Sequence, residues 1–228
     1  MIVFARAYAA RRCAWEGGQI WVVHKRLPPC ETEWAMTKGR LEAFTDGVIA
    51  IIITIMVLEL KVPHGADVTA LQSSLPVFLA YVLSYVNVGI FWNNHHHMLH
   101  AAARIDGKVL WTNLILLFWM SLIPFVIRWM DEAGLTALPT AAYGVVLAMA
   151  AISYHLLQWA IVASNGRSST LAVAVGSDLK GKLSIAGYLV AIPLAFVSPW
   201  IAVVLYVAIA LMWFLPDRRI ESVVNRPE

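Results

Sequence analysis

Long apolar blocks divide this sequence, and most polar residues fall between them. Four blocks cover about residues 44–62, 75–92, 110–129 and 138–163, and a longer one covers residues 183–215. Roughly 20 helical residues cross a hydrocarbon core of about 30 Å. Because lipid offers no partners to backbone N–H and C=O groups, each block is predicted to be a transmembrane helix.

The last block is too long for one crossing, and it carries Pro193 and Pro199. We therefore predict two helices there, with a turn near Ser198 and Pro199. This gives an all-α, polytopic membrane protein with six transmembrane helices per subunit, embedded in a lipid bilayer.

Composition supports a membrane protein. Hydrophobic residues make up 60% of the chain and charged residues 14%, against about 45–50% and about 25% in soluble domains. A net charge of +3 would raise nucleic acid as a partner of a soluble protein, but here the basic residues lie between apolar blocks, so we predict no nucleic-acid partner. Cys13 and Cys30 both precede the first block, which supports neither a disulfide framework nor a cysteine metal site.

The basic residues predict the orientation. If the N-terminus is cytoplasmic, only Lys61 and Arg128 of the 17 Lys and Arg residues fall outside. Cytoplasmic loops carry the excess of positive charge in membrane proteins. We therefore expect both termini in the cytoplasm, and a multi-pass protein of the cell (inner or plasma) membrane.

Residues 1–35 differ from the rest, since they mix Arg, Trp and Cys without a sustained period. They also lack the apolar stretch of about 7–15 residues that a secretory signal needs. We expect an N-terminal extension that is disordered, or a start-site artefact with translation beginning at Met36. The transmembrane domain is then residues 36–220, and residues 221–228 form a cytoplasmic tail.

Polar residues open the first block, where Arg40 and Phe44 are four residues apart and so share a helix face. Asp46 is expected within the first turn of the membrane helix, where the helix dipole favours a carboxylate. The group is either an ordinary helix start with its capping residues or part of a polar cluster joining several helices, because charges at membrane depth are usually paired.

One face of the same helix carries Ile51, Thr54, Ile55 and Leu58. Their spacing of i, i+3, i+4 and i+7 places them on one side. Apolar residues occupy the other faces as well, so helix packing or lipid contact explains this face equally well.

A histidine run, His95, His96 and His97, ends the second block, with His100 one turn later. Consecutive helical residues diverge, so the three cannot face one metal ion, and only His96 and His100 have a zinc-like spacing. Without a further ligand at useful spacing we predict no metal site. A polar interface cluster is favoured, and it could confer pH sensitivity.

Isolated polar residues within the blocks are predicted to form interhelical hydrogen bonds; they are Asn87, Asn113, His155 and Gln158. No phosphate-cradling glycine loop, nucleophile elbow or pair of catalytic carboxylates is present in the sequence. The sequence therefore predicts neither an enzyme nor a cofactor.

The segment Arg40-Leu-Glu-Ala-Phe-Thr-Asp-Gly resembles the signature of the bacterial transmembrane protein 175 potassium channels, relatives of the endosomal and lysosomal potassium channel. That signature is Arg, three residues, then Phe-Ser-Asp, before a small residue and an apolar helix. Thr45 replaces the usual Ser and keeps the hydroxyl. A second span ending in Phe91 and Trp92, with His95 and His96 after it, extends the resemblance, which covers roughly residues 37–220.

The resemblance implies a homotetrameric cation channel, modestly selective for potassium, with K⁺ as the permeating ion. In that family the first helix of each subunit lines the pore, and aliphatic side chains form its narrowest points. These positions match Ile51, Ile55 and Leu58, and the threonine associated with selectivity matches Thr54. A ring of four Ile51 side chains has no charge and can gate by dewetting.

The resemblance also assigns a structural network to the signature residues. Its expected members are Arg40, Phe44, Thr45 and Asp46, with Trp92 and the histidines His95, His96 and His97 as partners. The sequence leaves open which histidine makes the contact.

Two other classes of function have less support in the sequence. A secondary or proton-coupled transporter needs ionisable groups near the membrane midplane, usually within inverted repeats, and here the charged residues lie at the span ends. A metal-dependent membrane enzyme would have to use the histidine run.

Overall fold

The computed structural model describes residues 37–63, 67–166 and 178–214. The predictions for residues 1–35, including a start at Met36, and for residues 221–228 lie outside the described residues. Seven α-helices and no strand occur in the described part, and the helices are α1 Lys38–Leu58, α2 Val68–His100, α3 Gly107–Ser121, α4 Ile123–Ala133, α5 Ala137–Asn165, α6 Leu179–Val197 and α7 Pro199–Phe214.

Five helical stretches are long and apolar enough to cross a membrane: α1, Ser74–His100, Gly107–Ala133, α5 and α6. The sixth predicted span corresponds to α7, which is a shorter apolar helix of 16 residues. The predicted all-α membrane fold is therefore confirmed, while the cytoplasmic placement of the termini stays a prediction.

The third predicted span is one crossing made of two helices. α3 ends at Ser121, and α4 begins at Ile123 after the single residue Leu122. Pro124 lies at the start of α4, and a proline ring lacks an N–H and clashes with the carbonyl four residues earlier. The break follows from Pro124, which the block pattern alone did not take into account.

The predicted turn in the last block is confirmed. Ser198 is extended, with φ −158° and ψ 121°, and Pro199 begins α7. A residue before proline avoids the helical region, which ends α6 at Val197.

The helices pack unevenly in the subunit. α5 forms the centre, packed against α3 and α6, and α6 packs against α7. α1 lies at the edge, where its main neighbours are α2, α3 and α4. One side of α1 is therefore left uncovered by its own subunit.

Candidate functional site on helix α1

The buried and uncovered sides of α1 differ in sequence. The buried side consists of residues spaced three or four apart: Leu41, Thr45, Ile49, Ile52 and Met56. The predicted face of Ile51, Thr54, Ile55 and Leu58 lies on the exposed side. Ile51 is 57% exposed and Leu58 80%. These side chains do not pack inside their own subunit, and they are available to lipid, water or another subunit.

Helix α1 begins earlier than the apolar pattern suggests. Thr37 caps it, and its Oγ1 accepts a hydrogen bond from the Arg40 backbone N–H at 3.4 Å. Asp46 consequently lies beyond the second turn, and no acidic residue occupies the first turn. The interpretation of Asp46 as a residue of the helix start is therefore wrong, because the cap lies nine positions before it.

Three polar contacts, which we call the α1–α2 ladder, join the first half of α1 to the end of α2. Trp92 Nε1 donates to Asp46 Oδ1 at 2.9 Å, and His96 Nδ1 lies 3.2 Å from Glu42 Oε1. Lys38 Nζ donates to the His100 carbonyl oxygen at 2.7 Å. The contacts advance by four residues along each helix, so antiparallel helices align them on facing sides.

The rings of the ladder stack along α2. The Trp92 and His96 ring centroids are 6.1 Å apart, and those of His96 and His100 are 6.2 Å apart. Stacking restricts the His96 ring, and this orients its Nδ1 toward Glu42.

A second, buried chain of hydrogen bonds ties α1 to α2 through α3. Asn113 Nδ2 donates to Thr45 Oγ1 at 2.9 Å, and Asn113 Oδ1 lies 2.7 Å from His95 Nε2. Since an amide oxygen only accepts, the Nε2 atom of His95 is the donor. All three side chains are buried, so each contact satisfies a group that would otherwise lack a partner.

The structure thus places Thr45, Asp46, Trp92, His95 and His96 in polar contacts between α1, α2 and α3. His95 and His96 both take part, the former through the buried chain and the latter in the ladder.

Three other predicted members of the network lie elsewhere. Arg40 and Phe44 are exposed, and the Arg40 side chain forms no hydrogen bond or ion pair with the described residues of its own subunit. His97 is also exposed, and its ring contacts His96 with a centroid distance of 5.6 Å. These residues are available for contacts outside the subunit.

Four participants were not identified as network members from sequence: Lys38, Glu42, His100 and Asn113. Glu42 lies four residues before Asp46 and so shares its helix face, a spacing that could have identified it. Asn113 was predicted only as an interhelical hydrogen-bond partner, which is confirmed. Nothing in its local sequence indicates Thr45 and His95 as partners.

Of the other isolated polar residues, Asn87 and His155 make polar contacts with neighbouring helices, whereas the Gln158 side chain forms no hydrogen bond with the described residues. Asn87 Nδ2 donates to Tyr143 Oη at 3.4 Å, and Ser84 Oγ donates to the same oxygen at 2.9 Å. His155 Nδ1 lies 3.3 Å from Asp178 Oδ2, at the start of α6. Within the described ranges, no three His, Cys, Asp or Glu side chains are grouped so as to bind a metal ion.

A groove of about 820 Å³ runs along the uncovered side of α1. Ile51 and Ile55 line it from α1, and Phe125 and Trp129 line it from α4. Three charged residues, which we call the rim, line the same groove beyond Ile55; they are Glu59, Arg128 and Glu132. The groove is therefore apolar along its length and charged at the end away from Thr37.

Comparison with known proteins identifies the family. Residues 40–124 match the family model described as "Endosomal/lysosomal potassium channel TMEM175". A potassium channel of Chryseobacterium sp. (strain P1-3) is 50% identical over 187 residues, which is 82% of this chain and 97% of that protein. A potassium channel of Streptomyces collinus is 31% identical, over 70% of this chain and 83% of that protein.

A solved structure agrees in fold. The crystal structure of a lysosomal potassium-selective channel TMEM175 homologue from Chamaesiphon minutus superposes with a TM-score of 0.67 and 29% identity, covering 80% of this chain and 97% of that one. Because a 50% identical relative is matched over nearly its whole length, this chain belongs to the TMEM175 family, whose members are ion channels and not enzymes.

Proposed function

We propose that this protein is a potassium-selective cation channel that assembles as a homotetramer in the cell (inner or plasma) membrane. The proposal rests above all on the uncovered face of α1, where Ile51, Thr54, Ile55 and Leu58 are exposed in a lone subunit. In the proposed tetramer, four such faces surround the pore. The relatives named as potassium channels support potassium as the ion.

Ile51 and Ile55 form the proposed constriction. They are 57% and 40% exposed, so their side chains extend away from the subunit. Four isoleucine side chains around an axis supply neither charge nor fixed dipoles, and a narrow apolar ring excludes water. Such a ring closes the pore by dewetting and conducts when it widens enough for a hydrated ion.

Thr54 supplies the oxygen nearest to this ring. Its hydroxyl donates to the Ile51 carbonyl oxygen at 2.8 Å within the helix. The hydroxyl proton is thereby used, and the lone pairs of the oxygen remain to coordinate a cation in the pore. With a single oxygen ligand per subunit, modest selectivity for potassium is expected.

The ladder and the buried chain support this arrangement from the opposite side of α1. Asp46, Glu42 and Lys38 contact α2, and Thr45 contacts α3. These contacts fix the rotation of α1 about its axis. A fixed rotation is needed if the same four side chains are to face the pore in every subunit.

Potassium flux through purified protein in liposomes tests the proposal. We expect flux from the wild type, and more or deregulated flux from Ile51→Asn, because an amide side chain keeps the constriction wet. Val57→Asn is the matched control: Val57 is 48% exposed but lies about a third of a turn away from Ile51 around the helix. We expect it to leave the flux unchanged.

Two results would contradict the proposal. One is the absence of flux together with a monomeric particle in detergent. The other is flux that saturates and depends on a proton gradient, which is the behaviour of a secondary or proton-coupled transporter.

A further inference from the structure

The rim contains more negative than positive charges in close contact. Arg128 Nη1 lies 3.0 Å from Glu59 Oε2, and Arg128 Nε lies 3.1 Å from Glu132 Oε1. One guanidinium therefore bridges two carboxylates, which leaves one negative charge in excess in each subunit. The neighbouring Lys61 Nζ contacts Asp131 Oδ2 at 3.2 Å and lies 4.0 Å from Glu132 Oε1. Counting Lys61 and Asp131 with the rim still leaves one negative charge in excess.

The position of the rim connects it to the proposed pore. Glu59 follows Ile55 by four residues, so it lies one helical turn further along nearly the same side of α1. The groove that contains Ile51 and Ile55 is also lined by Glu59, Arg128 and Glu132. In the proposed pore, an ion that reaches the isoleucines from this end passes the rim.

We propose that Arg128 is a conductance-determining residue, which limits cation entry by neutralising Glu59 and Glu132 at the pore mouth away from Thr37. This inference rests on the proposed function. In a tetramer the rim places four guanidinium groups and eight carboxylates around one mouth. The excess negative charge attracts cations, and Arg128 sets the size of that excess.

The charge of a pore mouth acts through the local cation concentration. A surface of one sign raises the concentration of the opposite ion near it, and salt screens the effect. The Debye length is about 30 Å at 0.01 M salt and about 3 Å at 1 M. Arg128 side chains are 55% exposed, so the rim is open to this screening.

Potassium flux into liposomes at low and high ionic strength tests the inference. Arg128→Gln removes a positive charge, and we expect it to raise the flux at least about twofold at about 0.01 M salt and not at all at about 1 M. Glu59→Gln and Glu132→Gln remove a negative charge each, and we expect both to lower the flux at low salt. Arg128→Lys keeps the charge and is expected to conduct like the wild type.

Lys61→Gln is the matched control. It makes the same change of charge as Arg128→Gln, but Lys61 does not line the groove. Its close partner is Asp131 Oδ2 at 3.2 Å, and Glu132 Oε1 lies further away at 4.0 Å. We expect a clearly smaller gain in flux than for Arg128→Gln.

Several outcomes overturn the inference. Equal gains in Arg128→Gln and Lys61→Gln, a gain that is independent of salt, or a rise in flux for both glutamate variants would each do so. If Arg128→Gln does not assemble, the two glutamate variants still show whether negative charge at the rim raises or lowers the potassium flux. Absence of flux in the wild type would instead contradict the proposed function itself.

Discussion

Trp92 and Asp46 join the end of α2 to the middle of α1 through a hydrogen bond of 2.9 Å between Trp92 Nε1 and Asp46 Oδ1. Trp92 is 43% exposed within the subunit, so this contact is only partly shielded from competing partners. A hydrogen bond to a charged group contributes about 1.5–3 kcal/mol, and the exposure moves this contact to the low end of that range.

Replacing Trp92 tests this contact. Trp92→Phe keeps an aromatic ring over His96 and removes the donor, so we expect a free energy of unfolding lower by about 1.5 kcal/mol. Thermal unfolding of the purified protein in detergent measures it. Trp111→Phe is the control, since Trp111 is 70% exposed. Equal midpoints for the two variants would show that the Asp46 contact contributes nothing to stability.

Substitutions of Thr45 test the buried chain of hydrogen bonds that Thr45 forms with Asn113 and His95. Thr45→Val preserves the shape of the side chain but leaves Asn113 Nδ2 without its acceptor, and an unsatisfied buried group costs about 1–3 kcal/mol. Thr45→Ser keeps the hydroxyl and is expected to unfold within about 1 kcal/mol of the wild type, since only a methyl group is lost.

A double-mutant cycle sharpens this prediction. Asn113→Leu removes the group that Thr45→Val leaves unpaired, so the cost of the double variant should be smaller than the sum of the single costs. Additive costs in the free energy of unfolding would mean that Thr45 and Asn113 do not interact.

Thr54 provides a prediction about selectivity. Thr54→Val has nearly the same shape and lacks the oxygen, so we expect the ratio of K⁺ to Na⁺ permeability to fall while the protein remains folded. Reversal potentials under K⁺ and Na⁺ gradients measure the ratio, and Thr54→Ser should retain it. An unchanged ratio in Thr54→Val would assign selectivity to another group.

Substitution by alanine is expected to change the free energy of unfolding in opposite directions at Gly144 and at Gly89. A Cβ at Gly144 would overlap Tyr206 Oη and lie 3.1 Å from Ile192 Cγ1. Tyr206 would have to move, although its hydroxyl donates to the Thr140 carbonyl oxygen at 3.0 Å. We expect Gly144→Ala to lower the free energy of unfolding by about 1–3 kcal/mol.

Gly89 is the matched control in this pair. It lies within α2, and nothing lies within 4 Å of an added Cβ. Alanine is the better helix former, so Gly89→Ala should stabilise by up to about 1 kcal/mol. Thermal midpoints that move in the same direction for both variants would contradict this reasoning.

The apolar blocks were sufficient to predict the membrane-spanning helices, because the thickness of the bilayer sets how long an apolar helix must be to cross it. Ser198 and Pro199 also marked the turn between α6 and α7 correctly. The start of α1 was harder to predict. Lys38 to Leu41 are helical but not all apolar, and a hydropathy pattern does not detect helical turns that lie outside the apolar block.

The partners in the site were harder to predict than its members. The Asn113 amide reaches Thr45 and His95, which precede it by 68 and 18 residues. Such pairing depends on how α3 packs against α1 and α2. The helical period shows which residues share a face of one helix, but it does not determine which faces of two helices pack together.

The polar contacts of α1 with other helices lie between Lys38 and Asp46 and again at Glu59, just after the helix ends. Lys38, Glu42, Thr45 and Asp46 anchor the first half, and Glu59 anchors the end. Every side chain from Ile49 to Leu58 is apolar except that of Thr54, whose hydroxyl bonds within the helix. The middle of α1 is therefore held to the other described helices by apolar contacts alone, and a shift at the isoleucines would break no hydrogen bond between helices.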